Sequence, residues 1–152
     1  EVPRRLREAP EGRVGLQDIS AGVDIIEIDR IAATLERFGT RFLERVYTAG
    51  EIAYCRGRAP QLAARFAAKE AVMKALGTGT RGIGWREVEV VRAHSGQPSI
   101  LLHGRAAARA ERIGVASLAI SLSHSREYAV ASVVGRRAPV AGERHIEAGK
   151  PE

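Results

Sequence analysis

The 152-residue chain has very little cysteine, because Cys55 is its single thiol. One cysteine excludes an internal disulfide, and such usage is typical of the reducing cytoplasm. The sequence also lacks an apolar run of about 20 residues, the length that a helix needs to span a bilayer, and it lacks a secretory signal pattern. These absences predict a soluble cytoplasmic protein with no membrane partner.

Aromatic residues are also scarce, at 5% of the chain, whereas 45% of the residues are hydrophobic. That composition supports one domain with a modest core. The net charge of +6 predicts an anionic partner, which leaves open nucleic acid, an acidic protein and a phosphorylated cofactor. Zinc-finger spacing and an aromatic stacking motif for RNA are both missing, so nucleic acid is the least favoured of the three.

The chain divides into three predicted segments. Residues 1–17 mix arginine, glutamate, proline and glycine without periodicity, which predicts a mobile N-terminal extension. Residues 18–136 carry the periodic patterns and form the predicted domain. Residues 137–152 resemble the first segment in composition and predict a flexible C-terminal tail.

The segment GVDIIEIDRI has the alternation of a β-strand. One face carries Val23 and Ile25, and the other carries Asp24, Ile26 and Ile28. An ionised carboxylate on an apolar face is costly unless it is paired. The pattern therefore predicts that Asp24 has a charged partner.

Residues 60–76 predict one central helix. Pro60 suits the first helical position and Gly77 the position just past the end. One face is bulky and the other is smooth, so the helix is expected to be covered on both sides. Glu70 lies one turn before Lys74 at the edge of the bulky stripe. The bulky stripe comprises Leu62, Phe66, Met73 and Leu76, and the smooth face comprises Ala64, Ala67, Ala68, Ala71 and Ala75.

The remaining periodicities predict three more helical segments and two antiparallel hairpins, which makes the fold class α+β. A break is expected near Gly39 in the first helical segment, and Thr48 with Glu51 fits a capping box at the start of the second. The helical segments are residues 31–46, 49–57 and 105–114, and the strands are residues 88–92, a strand through Ile100 and Leu102, residues 118–122 and residues 128–134.

Two interpretations of the buried charges stay open at this point. In the first, Asp24 pairs with an arginine and Glu70 pairs with Lys74 on the helix surface, as many weak surface pairs do. In the second, Asp24 and Glu70 are ligands of Mg²⁺, with lysines and a Gly-Thr-Gly turn nearby. Mg²⁺ takes one or two carboxylates and leaves its other positions to water and phosphate oxygens.

An ordered series of segments resembles the holo-(acyl-carrier-protein) synthases, the small trimeric class of the 4′-phosphopantetheinyl transferase family. The segments are GVDIIEIDRI, RFAAKEAVMKALGTG, GIGWREVEV, SGQPSILLHG and SLSHSREYAVASVV, and they run from Gly22 to Val134. The resemblance implies the 4′-phosphopantetheinyl transferase fold, an antiparallel sheet packed with helices, in a single domain that assembles as a homotrimer with its sites at subunit interfaces.

The resemblance also implies an activity. It is the transfer of the 4′-phosphopantetheine group of coenzyme A to a serine of apo acyl carrier protein in fatty acid biosynthesis, with release of adenosine 3′,5′-bisphosphate. The alternatives are the same chemistry on a carrier domain of a large polyketide or fatty-acid synthase, and a noncatalytic module that binds coenzyme A or a carrier protein.

Site residues follow from the same resemblance. Asp24 and Glu70 are the implied ligands of Mg²⁺, or of Mn²⁺, and together with Lys74 they are the catalytic residues. Arg30 and Arg37 are the implied contacts to the acidic carrier protein, with Arg41 and Arg45 as weaker candidates. The implied coenzyme A-binding residues are Arg65, Lys69, Gly79, Ser123 and His124.

Overall fold

The computed structural model describes residues 18–138 of the chain. The predictions for residues 1–17 and for the tail beyond Ala138 lie outside the described residues, while Arg137, which the sequence assigned to the tail, is the last residue of a strand. The elements in order are β1 (Ile19–Glu27), α1 (Ile28–Phe38), α2 (Thr40–Val46), α3 (Ala49–Cys55), α4 (Ala59–Ala75), a 3₁₀ turn (Trp85–Glu87), β2 (Val88–Arg92), β3 (Pro98–Leu102), α5 (Gly104–Arg112), β4 (Val115–His124) and β5 (Tyr128–Arg137).

The strands form two antiparallel sheets. The larger sheet has the order β1-β5-β4, and β2 pairs with β3 in a separate hairpin. The register of the larger sheet pairs Asp24 with Ala131, and Ala131 with Leu122. Helix α4 packs on β1 and β5, so its long axis lies against the centre of this sheet. The predicted α+β class with antiparallel pairing is confirmed.

The alternation predicted for β1 is confirmed, but the strand is shorter than the predicted segment. Val23 and Ile25 are 61% and 60% exposed, whereas Ile26 is buried on the opposite face with Asp24. Ile28 is buried as expected, yet it belongs to α1 and not to the strand. Ile28 and Ile31 are three residues apart, which is a helical spacing, and the chain follows this helical pattern once it leaves the sheet.

Helix α4 matches its predicted bounds to within one residue. Pro60 lies in its first turn, and Gly77 follows its end with φ at +72°. Both the bulky and the alanine faces are buried, which confirms the prediction that this helix is central. Gly22 brings β1 close to α4, because a Cβ atom at this position would overlap the carbonyl oxygen of Ala71.

Local signals elsewhere are also confirmed. The first helical segment breaks at Gly39, whose φ of +54° is in the left-handed region that glycine tolerates. The Thr48–Glu51 capping box forms, with Thr48 N donating to Glu51 Oε1 over 2.9 Å and Glu51 N donating to Thr48 Oγ1 over 3.3 Å. None of the helices between residues 18 and 138 is both long and apolar enough to cross a membrane.

Candidate active site

Asp24 is a largely enclosed carboxylate of the candidate site. It lies on the face of β1 that packs on α4, and its side chain is 11% exposed. Lys74 Nζ donates to Asp24 Oδ1 over 2.9 Å and to the carbonyl oxygen of Val23 over 3.0 Å. The second carboxylate oxygen, Oδ2, is buried and receives no hydrogen bond. Asp24 therefore has a cationic partner on one oxygen only, and that partner is a lysine of α4 and not an arginine.

Glu70 lies across from Asp24 on α4. Burial and the neighbouring carboxyl group of Asp24 raise the pKa of Glu70 to about 7, against the opposing positive charges of Lys74 and Arg30. Two ionised carboxylates repel each other at close range, and a proton on Glu70 or a cation between the two groups would relieve that repulsion.

The donor set of this pair fits a divalent cation with oxygen ligands. Asp24 Oδ2 is a buried oxygen in need of a positive partner, and Glu70 supplies a second carboxylate beside it. No cluster of three or more His, Cys, Asp or Glu suited to a metal occurs within residues 18–138. Two carboxylates without further protein ligands match the way in which Mg²⁺ is shared between a protein, water and substrate phosphates.

Lys74 and the Gly-Thr-Gly turn stand at the open side of the carboxylate pair. The Lys74 side chain is 54% exposed although it bonds to Asp24, so its ammonium group is accessible from solvent. The chain then turns through Gly77 and the exposed Gly79, whose φ values are +72° and +56°. This end of α4 thus combines an accessible cation with a turn that has little side-chain bulk.

Ser123 and His124 end β4, and both are exposed. The register pairs His124 with Ala129, which in turn pairs with Ile26 of β1. His124 therefore has the same alternation phase as Asp24, and two strand spacings of about 4.8 Å each separate it from β1. Ser123 has the opposite phase and belongs to the outer face of the sheet. Of the two, only His124 shares the sheet face of the carboxylate pair.

Arg65 and Lys69 have side chains directed toward α3 and β2. Arg65 is 4% exposed, and its guanidinium carbon lies 4.1 Å from the centre of the Tyr54 ring. Lys69 is 0% exposed and donates to Glu51 Oε1 over 2.7 Å. The structure therefore places Lys69 in the core, and a contact with coenzyme A would require its ammonium group to leave its buried acceptors.

Arg30 and Arg37 are both exposed on α1. They are seven residues apart, which places them on one side of the helix. The charge of Arg30 acts on Glu70, so this side of α1 adjoins the carboxylate pair. Arg41 and Arg45 are exposed on the following helix, α2. Of the predicted carrier-binding arginines, Arg30 thus adjoins the candidate site, and Arg37 lies on the same side of α1.

The sequence argument missed the hydrogen bonds that surround Lys69. Glu51 was recognised only as a helix cap, yet it also binds Lys69 and accepts a hydrogen bond from Val90 N over 3.0 Å. One signal was available, because Lys69 follows Ala67 and Ala68 on a helix whose smooth face was expected to be covered. A lysine in such a position requires buried acceptors.

Comparison with known proteins identifies the family. A family model described as the 4′-phosphopantetheinyl transferase superfamily matches residues 20–133. The chain therefore belongs to the 4′-phosphopantetheinyl transferase superfamily. Among its relatives, a holo-[acyl-carrier-protein] synthase of Gloeobacter violaceus is 56% identical over 116 residues, which cover 74% of this chain and 88% of that protein. A synthase of the same name from Koribacter versatilis is 49% identical, over 76% of this chain and 96% of that protein.

Solved structures agree with this assignment. The crystal structure of Helicobacter pylori holo-[acyl-carrier-protein] synthase in complex with coenzyme A matches with a TM-score of 0.70 and 32% identity, over 76% of this chain and 98% of that one. The synthase from Neisseria meningitidis matches with a TM-score of 0.72 and 30% identity, over 78% and 98% of the two chains. The predicted resemblance and fold are confirmed.

Proposed function

We propose that this protein is a holo-acyl-carrier-protein synthase that moves the 4′-phosphopantetheine group of coenzyme A to a serine hydroxyl of an acyl carrier protein, in fatty acid biosynthesis. The names of its relatives and the coenzyme A-bound neighbour support the substrates. The observation that carries the proposal for this chain is the Asp24–Glu70 carboxylate pair, with Lys74 bonded to Asp24 at the accessible side. Such a pair suits phosphoryl chemistry, in which charge stabilisation is the main requirement.

In the proposed step, the serine oxygen forms a bond to the phosphorus that carries the pantetheine group. The bond from that phosphorus to the bridging oxygen of the diphosphate breaks, and adenosine 3′,5′-bisphosphate leaves with the bonding electron pair. The serine proton passes to the Glu70 carboxylate, directly or through a water molecule. A carboxylate beside the attacking hydroxyl can take its proton as a general base.

Asp24 and Glu70 would hold Mg²⁺ or Mn²⁺ in this enzyme. When bound, the cation offsets the negative charge that develops on the diphosphate and its leaving group. Lys74 lies at the accessible side of Asp24 and would orient a phosphate oxygen. Arg65, Gly79, Ser123 and His124 complete the proposed coenzyme A site, which leaves out Lys69 because buried acceptors hold its ammonium group. Of these, Gly79, Ser123 and His124 are exposed.

The basic surface of α1 is the proposed contact for the carrier protein. Arg30 and Arg37 are exposed on one side of that helix, and Arg30 adjoins Glu70. An acidic partner that docks there would bring its serine to the carboxylate pair. Attraction between such surfaces favours rapid encounter, and salt weakens it.

A cytoplasmic location belongs to the same proposal, supported by Cys55, which is a free and buried thiol.

A homotrimer is the proposed assembly. The sheet face opposite α4 exposes Val23, Ile25 and Val134, which are apolar neighbours on β1 and β5. A contiguous apolar surface of this kind is typical of an interface. In the proposed trimer, each site lies between subunits, and a neighbouring copy supplies Ser123 and His124.

The variant Val23→Lys tests this assembly. It places a charge within the exposed apolar face, so we expect the protein to sediment as a monomer and to lose transfer activity. Leu101→Lys is the matched control, because Leu101 is also an exposed apolar residue but lies on the separate β2–β3 hairpin. The control is expected to keep the wild-type mass. A wild-type protein that already sediments as a monomer would contradict the trimer.

Intact-mass spectrometry tests the proposed function directly. Apo acyl carrier protein is incubated with this protein, coenzyme A and Mg²⁺, and a parallel sample contains EDTA. We expect the carrier protein to gain the mass of one 4′-phosphopantetheine group, and only in the sample without EDTA. Coenzyme A binding without any mass gain on several carrier proteins would instead indicate a noncatalytic binding module. A gain only on the carrier domain of a large polyketide or fatty-acid synthase would identify that domain as the substrate.

A further inference from the structure

The ammonium group of Lys69 is the centre of a closed hydrogen-bond network in the core. It donates to Glu51 Oε1 over 2.7 Å, to the carbonyl oxygen of Trp85 over 3.1 Å and to the carbonyl oxygen of Val88. These three bonds use all three hydrogens of the ammonium group. Lys69 is 0% exposed, so no donor of this side chain is left for a ligand.

Glu51 completes the network from the other side. Its Oε1 accepts from Thr48 N over 2.9 Å as well as from Lys69, and its Oε2 accepts from Val90 N over 3.0 Å. Both carboxylate oxygens are therefore satisfied, and the residue is only 1% exposed. Together, Lys69 and Glu51 connect α4 to α3, to the 3₁₀ turn and to β2. Of these elements, only α4 carries residues of the candidate site.

On the side that faces β1, α4 is held by the close approach of Gly22 to the backbone of Ala71 and by the bonds of the exposed Lys74 to Asp24 and Val23. The other buried residues of its smooth face are small alanines. Helices acquire a defined crossing geometry when large side chains form ridges that fit into grooves, and alanine forms only shallow ridges. A satisfied buried polar network is directional and can supply a further constraint.

We propose that Lys69, held by Glu51, is a positioning residue that sets the rotation and axial position of α4 so that Glu70 faces Asp24. Lys69 and Glu70 are consecutive, and consecutive residues of an α-helix project about 100° apart. Holding Lys69 against α3 and β2 therefore turns Glu70 toward the sheet. The expected loss of catalytic rate on removing Lys69 rests on the proposed function. The expected change in the position of Glu70 relative to Asp24 does not. A displacement of about 1 Å in reacting groups can cost about 100-fold in rate.

The double variant Lys69→Met/Glu51→Gln is the main test. It removes both charges at once, because removing only one would leave an unpaired charge in the core. We expect a folded protein with kcat lowered about 100-fold, as for a misplaced reacting group, and an unchanged Kd for coenzyme A. We also expect weaker binding of Mn²⁺, measured by electron paramagnetic resonance without coenzyme A or turnover. Arg105→Met, which removes an exposed ion-pair partner of Glu87, is the control and should match wild type in all three measurements.

Two results of this experiment would overturn the inference. A raised Kd for coenzyme A with wild-type kcat and Mn²⁺ affinity would make Lys69 a phosphate contact. Wild-type values in every measurement would show that the Lys69–Glu51 network does not influence the site. If the double variant does not fold, Glu51→Asp decides the question, because it keeps both charges but shortens the side chain that holds Lys69, and Glu51 is buried away from any ligand. If Lys69 positions α4, this variant should lower kcat and the affinity for Mn²⁺. If Lys69 instead binds coenzyme A directly, both values should stay unchanged.

Failure of this inference is distinguishable from failure of the proposed function. If the wild-type protein transfers nothing to any carrier protein, the proposed activity is refuted. The Mn²⁺ measurement still compares the carboxylate pair of wild type with that of the variants. Equal Mn²⁺ affinities in that comparison reject the positioning role, and a weakened variant supports it.

Discussion

Asp24→Asn and Glu70→Gln should each abolish transfer while leaving the protein folded. Each amide keeps the size of the side chain but removes one of the two carboxylates that would hold the cation and face the diphosphate. Loss of a group that stabilises transition-state charge typically costs about 100- to 1,000-fold in kcat, and loss of the cation site should reach at least the upper end of this range. The initial rate of mass gain on apo acyl carrier protein measures the effect.

Stability measurements separate this effect from unfolding. Without Mg²⁺, Glu70→Gln should melt at or above the wild-type temperature, because it removes the negative charge beside Asp24, whereas Asp24→Asn also loses the ion pair with Lys74. Addition of Mg²⁺ should raise the Tm of the wild type more than that of either variant, since a ligand stabilises only a protein that binds it. Glu111→Gln, on the exposed side of α5, is the control for the loss of a negative charge. Near-normal turnover in both variants would refute the metal-site assignment.

Gly22→Ala should cause the largest loss of stability among single-atom additions to this fold. The added Cβ would overlap the carbonyl oxygen of Ala71 and lie 2.9 Å from its carbonyl carbon and 3.1 Å from the backbone nitrogen of Ala75. These are backbone atoms of the central helix, so no side-chain rotation can relieve the overlap. We expect the free energy of unfolding to fall by about 3 kcal/mol, at the upper end of typical overpacking costs. Denaturant unfolding followed by circular dichroism measures it.

Gly50→Ala is the matched control for this prediction. Gly50 is exposed within α3, and the nearest atom to its added Cβ would be a side-chain oxygen of Glu89 at 3.5 Å, an ordinary contact distance. Alanine is the better helix former by about 1 kcal/mol in a helix interior, so we expect a small gain in stability. The two substitutions add the same methyl group and should have opposite signs. An unchanged unfolding midpoint for Gly22→Ala would contradict the tight β1–α4 packing.

Features with a local physical cause were predictable from the sequence. The Thr48–Glu51 capping box and the helix break at Gly39 depend on residues that are neighbours in the chain, and both form as expected. The exposure of Val23 and the burial of Ile26 follow from the strict alternation of a strand. The bounds of α4 follow from Pro60 and from the glycine after its end.

Features that depend on distant partners were not predictable in the same way. Asp24 and Lys74 are 50 residues apart in the chain, and only the packing of α4 on β1 makes them partners. The end of β1 was also misjudged, because the alternation that ends at Ile28 and the helical spacing that starts there share a residue. The buried acceptors of Lys69 were unpredictable for a similar reason, since they come from three separate elements.

The sequence by itself determined which residue types could perform the chemistry and on which elements they lie. Two carboxylates, one on a strand and one on a central helix, were recognisable because an acid among apolar residues must have a partner. Only the tertiary structure decided the partners: Lys74 for Asp24, Asp24 for Glu70, and Glu51 for Lys69. Periodicity specifies the direction in which a side chain leaves its own element, whereas ion pairs and raised pKa values depend on distances between elements that packing alone sets.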